Sequence, residues 1–278
     1  MKKNYYCLVA GLPDWKPDDR KSPITWQQLR DEIDETLSGD DLRLSQLFYL
    51  PFDHANIVSK LYKTGATFDN RGKYTEAEID QMTDSLAVSL GDTPAAETYI
   101  ADAIANYYAQ EPRPTQQATA ALLQLGWIDA LTTSGNEFIA RYAQFDTTLR
   151  NILIALQGRK YNREVTDNII GTDEIAESIR RSRAHDFGLK SEVDYIEQAI
   201  QIFNTTDLVE REMKIDALKW TFIDETTFFD YFTVERIVAA ILKLSMVERW
   251  AALDEQQGRE RFAQIIADIK QSYDNSKK

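Results

Sequence analysis

The sequence predicts an all-α protein, a packed bundle of many helices with at most a short extended segment at its N-terminus. Apolar residues recur at spacings of three and four over long stretches. Thr, Pro and Gly stand where helices start and stop. Strand signals are nearly absent, with few β-branched alternations and no Asn-Gly or Asp-Gly hairpin turn. With 278 residues and 43% hydrophobic content, the chain has enough apolar side chains for one helical domain over 1–278, divisible near 158–172.

Taken in order, Tyr5 to Leu12 is short and apolar, and Gly11-Leu12-Pro13 closes it early, which reads as an extended segment. Residues 13–24 are rich in Pro, Asp and Lys and read as a loop. Thr25-Trp26-Gln27-Gln28 then offers a capping box, in which the Thr hydroxyl and the Gln side chain each satisfy a free backbone N–H. Between 38 and 92, Pro51, Gly65, Gly72 and Gly91 interrupt the pattern and predict short helices, one of them started by a second capping box at Thr75-Glu76-Ala77-Glu78. Thr93-Pro94 predicts the start of an Ala-rich helix running to Tyr108, ended by Pro112 and Pro114.

The clearest periodicity joins Phe138, Tyr142, Phe145, Leu149, Ile152 and Leu156, a core-facing helix of about five turns. Ile154 falls on its opposite side, so elements are expected on more than one face. The C-terminal third predicts helices from Asp207 to Ile223, from Val234 to about Leu253 and from Gly258 to Tyr273, the last with Phe262, Ile265, Ile266 and Ile269 as its stripe.

Charge narrows the function classes. A net charge of −13 and a pI near 4.7 oppose binding to nucleic acid or anionic lipid, whose affinity rests on Lys and Arg. No apolar stretch approaches the ~18 residues of a membrane span. The single cysteine, Cys7, cannot form an internal disulfide, and the opening Met-Lys-Lys-Asn-Tyr-Tyr lacks the apolar run of a secretory signal, so a cytoplasmic setting is expected.

Catalytic signatures fail one at a time. His54 and His185 are the only histidines, too few and too far apart for an HExxH helix or a Cys/His zinc cluster. Gly72-Lys73 resembles the end of a phosphate-binding loop, but six residues separate Gly65 from Gly72 and Tyr74 stands where Ser or Thr would hold magnesium. Asp40-Asp41 opens an aspartate-rich magnesium motif whose third carboxylate is replaced by Leu44. There is no GxGxxG and no GxSxG. The expectation is a protein without catalytic residues, cofactor or metal.

Two basic knots interrupt the acidic chain: Arg159, Lys160 and Arg163, then Arg180, Arg181 and Arg183. They read either as contacts with an acidic partner or as solvated helix ends, where cations are favourable. Charge also enters predicted core faces. Asp216 lines up with Val209, Met213, Trp220 and Ile223, while Glu248 and Arg249 fall within the arc of Val238, Ile241, Leu242 and Leu244. A buried charge needs a partner. Either Asp216 pairs with Arg249 across two packed helices, or Lys219, three residues along, satisfies it locally.

The run Glu210-Arg211-Glu212-Met213-Lys214-Ile215-Asp216-Ala217-Leu218-Lys219-Trp220, with Phe232, Lys243-Leu244 and Glu248-Arg249-Trp250-Ala251-Ala252-Leu253-Asp254, resembles a bacterial family encoded among V-type ATPase genes. Tyr5-Tyr6-Cys7-Leu8-Val9-Ala10-Gly11-Leu12-Pro13 and Leu149-Arg150-Asn151-Ile152-Leu153 through Arg159-Lys160-Tyr161 fit the same pattern. That family is similar to the C-type central-stalk subunit of V/A-type rotary ATPases, whose eukaryotic counterpart is the d-type. The resemblance implies a funnel-like helical socket, without chemistry of its own, that links the central rotor shaft to the membrane ring of proteolipid subunits in ion transport. It implies the other ATPase subunits as partners and a place in the cytoplasm, peripheral to the inner membrane through them. The chain is shorter than the usual C-type protein, implying that one of that family's repeated helical units is reduced or missing. Two other classes remain open: a helical scaffold or adaptor unrelated to the ATPase, and a helical enzyme acting on a small substrate.

Overall fold

The computed structural model describes residues 4–84 and 96–253, and every regular element among them is helical. The N-terminal segment departs from expectation. Residues 6–11 form a short helix, α1 (Tyr6–Gly11), instead of an extended stretch. A six-residue helix cannot persist alone, and here tertiary contacts hold it. The Tyr5 N–H donates to the Phe232 carbonyl at 2.7 Å, the Tyr5 hydroxyl donates to Asp41 at 2.5 Å, and Leu8 is buried.

The loop over 13–24 tucks Trp15 into the core, its indole N–H on Ser22. Helix α2 (Trp26–Thr36) starts at Thr25 with both halves of the capping box formed. Glu248 adds a third cap, accepting the Trp26 N–H at 2.8 Å from the far end of the chain. Three short helices follow: α3 (Asp40–Gln46), α4 (Leu50–Tyr62) with Pro51 in its first turn, and α5 (Glu76–Met82) behind the Thr75 capping box. Asp40 and Asp41 occupy the first turn of α3, where acids complement the positive helix terminus.

The Thr93-Pro94 start lies outside the described residues; helix α6 (Thr98–Ala109) begins after non-helical Ala96 and Glu97. Helix α7 (Gln116–Thr132), capped by Thr115, follows a cis Glu111–Pro112 bond. Helix α8 (Glu137–Tyr161) carries the long stripe, all six residues of which are buried, and continues through Gly158 to a left-handed cap at Asn162. After it come a 3-10 turn at Thr166–Asn168, then α9 (Glu174–Arg181), α10 (Ile196–Phe203), α11 (Leu208–Thr226) and α12 (Val234–Ala251). The expected helix from Gly258 to Tyr273 falls outside the described residues.

Two apolar cores form. One gathers α1–α7, the first half of α8, the end of α11 and α12; the other gathers the second half of α8, Ile169, α9, α10 and Leu218 of α11. Helices α8 and α11 therefore belong to both, and Phe222 packs against each, stacked on Phe145 at 4.1 Å between centroids. The expectation that α8 is covered on several sides holds, with α7, α9, α10 and α11 all against it.

A buried asparagine staples the loop after a helix in two places. Asn56 on α4 exchanges hydrogen bonds with the Asp69 backbone, both at 2.9 Å, and Asn151 on α8 does the same with Ile170, at 2.7 and 2.9 Å. In both, the preceding helix ends on a left-handed non-glycine residue, Lys63 or Asn162. An asparagine side chain offers one donor and one acceptor side by side, which matches a single residue's backbone N–H and C=O.

Candidate partner-binding cleft

The second stapled loop shapes the surface of most interest. At the end of α8, Gly158 lets the chain double back: a Cβ there would stand 2.5 Å from Val165 Cγ2 and 3.0 Å from the Arg163 carbonyl oxygen. The loop then runs to Ile170, held by Asn151, and Asp173 caps α9 by accepting the Ala176 N–H. Folded this way, the two basic knots meet. Arg159, Arg163, Arg180, Arg181 and Arg183 all line one open cleft of about 690 Å³, beside Glu164 and over a floor that includes Ala155, Val165, Ile169 and Ile179.

The arginines divide by what they hold. Arg159 donates from Nη1 to the Ala184 carbonyl and from Nη2 to the Ser182 carbonyl, both at 2.7 Å, with its guanidinium 3.8 Å from the Phe187 ring centroid. Burial lowers its pKa. Arg180 donates to the Ile169 and Gly171 carbonyls at 2.8 and 2.5 Å and pairs with Glu177 at 2.6 Å. These two tie down loop carbonyls of the protein itself and are neither solvated helix ends nor available to a partner. Arg181, largely exposed, pairs with Glu177 at 2.8 Å. Lys160 is not in the cleft lining; its ammonium sits near the Tyr161 and Phe203 rings. Arg163 and Arg183 are exposed, and neither side chain makes a hydrogen bond or ion pair among the described residues.

Asp216 and Arg249 come together between α11 and α12. Arg249 Nη2 donates to Asp216 Oδ2, and the Trp250 indole N–H donates to the same oxygen at 2.7 Å. Asp216 is buried, whereas Arg249 is 47% exposed and also lies 3.6 Å from Glu212. Lys219 turns instead to Asp146 on α8, at 2.5 Å. The stripe containing Asp216 is a core face only in its second half, since Val209 and Met213 are exposed. Trp250, the donor that sequence reasoning missed, had a signal: a buried indole N–H needs an acceptor.

A second surface feature has no counterpart among the sequence expectations. Phe228, Phe229 and Tyr231, in the turn between α11 and α12, are 64%, 80% and 62% exposed, and exposed Tyr6 packs on neighbouring Phe232 at 4.7 Å between centroids. The run Phe228-Phe229-Asp230-Tyr231-Phe232 matches no helical or strand period, which was the available clue.

The catalytic decoys have structural roles. Asp53, fully buried, accepts the Lys73 and Tyr74 N–H groups at 2.7 and 3.2 Å, so the amides after Gly72 face a carboxylate of the protein itself. Burial outweighs those bonds and pushes the Asp53 pKa up to about 6. His54 bonds Tyr99 at 2.8 Å, and burial lowers its pKa to about 4. Among the described residues no group of three or more His, Cys, Asp or Glu is placed to hold a metal ion, and no helix is long and apolar enough to cross a membrane.

Residues 1–273 match the family described as "Protein of unknown function (DUF2764)". The chain belongs to that family. No curated protein and no solved structure matches the chain. That description names no activity.

Proposed function

We propose that this DUF2764 member is a non-enzymatic coupling subunit of a V/A-type rotary ATPase. In this reading it sits on the cytoplasmic side of the inner membrane, held there by its partners, as a funnel-like socket between the central shaft and the proteolipid ring. The observation that carries the reading is the sharing of α8 and α11 by both cores. A part that passes torque must not hinge, and two close-packed cores threaded by the same long helices resist bending between them. The sequence resemblance supplies the identity of the machine.

Two surfaces support the reading. The exposed aromatics around Phe229 form the kind of apolar patch that marks a protein interface. The arginine cleft gives an acidic chain a local positive face for an acidic element of the shaft or ring, and complementary charge orients partners.

Affinity purification of the tagged protein from its own cells tests the proposal. The headpiece subunits and the ring should co-purify. Recovery of unrelated proteins instead would make the chain a general helical adaptor and refute the coupling role.

A further inference from the structure

We infer that the cleft between the ends of α8 and α9 is a built peptide-binding site. Its ligand is an acidic segment of a partner protein, with carboxylates spaced around an apolar side chain. The inference rests on the coupling reading only for the name of the partner; the chemistry of the ligand comes from the cleft itself.

The charge is positioned, not incidental. Within a chain of net charge −13, five arginines from two separate stretches converge on one opening, against a single lining carboxylate, Glu164. Arg159 and Arg180 are tied to backbone carbonyls and keep the walls in place. Arg163 on one wall and Arg183 on the other have no partner among the described residues. Glu164 is engaged by Thr166, whose N–H and hydroxyl both reach Oε1, and it forms no ion pair with Arg163. Two guanidinium groups that line one cleft without a partner among the described residues are suited to hold carboxylates in bidentate fashion.

The surroundings favour a peptide over a compact phosphate. The cleft lies at the C-terminal ends of α8 and α9, which supply no N-terminal N–H groups of the kind that cradle a compact phosphate, so an anion is held there by spread arginine side chains. Ala155, Ile169 and Ile179 also border the cleft but are buried in the second core, so the apolar contact it offers an aliphatic side chain is small and centres on Val165. Charged rims spread across an open cleft, with Val165 between them, match an extended segment that spaces its carboxylates around an aliphatic residue.

The test is a fluorescence-anisotropy titration of the purified full-length protein with a labelled hexapeptide alternating glutamate and leucine. Inorganic tripolyphosphate and an all-serine peptide run alongside. Saturable binding of the Glu/Leu peptide is expected, weakened about tenfold or more by Arg163→Glu with Arg183→Glu and unchanged by the equal charge change Lys21→Glu with Lys190→Glu. Both double variants should keep the wild-type melting temperature, since all four side chains are exposed and unpaired among the described residues. Arg163→Gln with Arg183→Gln is the milder companion and should weaken binding in the same direction.

Absence of peptide binding overturns the inference, as does equal binding by the two charge-reversed variants. Tripolyphosphate binding that depends on Arg163 and Arg183 while the peptide fails to bind overturns it in favour of a small-anion site. The outcome is separable from the coupling role. ATPase subunits that co-purify with the Arg163→Glu, Arg183→Glu variant as with wild type would sink the cleft alone. Peptide binding by a protein that brings down no ATPase subunit would sink the coupling role and leave the cleft.

Discussion

Replacing Asp216 with Ala removes the acceptor on which the α11–α12 contact is centred. The buried carboxylate takes the Trp250 indole N–H and the Arg249 guanidinium on one oxygen. Its loss leaves the indole N–H buried and unpaired, at about 1–3 kcal/mol. Arg249 is 47% exposed and keeps Glu212 nearby, so it returns largely to water and its share is discounted to about 1 kcal/mol. With roughly 1 kcal/mol for lost packing, Asp216→Ala should cost about 4 kcal/mol. Arg249→Met leaves Asp216 with Trp250 alone and should cost about 2 kcal/mol, below the range for fully buried pairs because water reaches the site. Urea unfolding of both single variants and the double variant closes a cycle, and its coupling energy should be about 1–2 kcal/mol. A parallel cycle of Asp216→Ala with Lys219→Ala should show none, because Lys219 pairs with Asp146. A first coupling below about 0.5 kcal/mol, or a Lys219 coupling that equals it, would refute the assignment of Arg249 as the partner.

Asp53 gives a signed pH dependence. Its carboxyl pKa rises on folding from 3.8 to about 6, so the native state holds that proton more tightly than the unfolded chain. Its contribution is therefore greatest below pH 4 and falls by about 3 kcal/mol as pH rises to 6. The wild-type-minus-Asp53→Asn difference in urea midpoint should trace that fall, and a flat difference would contradict it. Gly158→Ala gains helix propensity but places a methyl 2.5 Å from Val165, so a net loss of about 1–2 kcal/mol is expected in urea unfolding, partly recovered by adding Val165→Ala. Asn151→Ala strips the Ile170 backbone of both partners and should cost about 2–3 kcal/mol, with faster amide exchange at Ile170 as the local readout. Phe228→Ser with Phe229→Ser should leave the melting temperature within about 2 °C of wild type, because both side chains are exposed.

What can be read from the sequence is what local chemistry decides. Thr25 and Thr75 each open their own capping boxes, and the α8 stripe needs only its period to declare a buried face. The α1 segment escapes a local reading because its helix depends on Asp41, 36 residues along from Tyr5, and on Phe232 in the last third of the chain. The Val209–Met213 half of the α11 stripe has the right period but is exposed, since period shows which residues share a face and not whether anything covers it. The arginines are visible as two knots; that they border one cleft depends on Gly158 and Asn151, whose partners Val165 and Ile170 no spacing rule links to them.

The two stapled loops separate architecture from use. After α4 and after α8, a left-handed cap turns the chain and an inward asparagine fixes one residue of the return, so both places form a recess beside a helix end. At the first, Lys60 faces Glu76 and Asp80 and the charges cancel within the protein. At the second, Arg163 and Arg183 have no such acids among the described residues, while the neighbouring Glu177 is occupied by Arg180 and Arg181. The same backbone device thus yields one internally neutralised surface and one with unspent positive charge. Among the described residues the second recess has no acid to pair with Arg163 or Arg183, and an acidic segment of another protein is what would supply one.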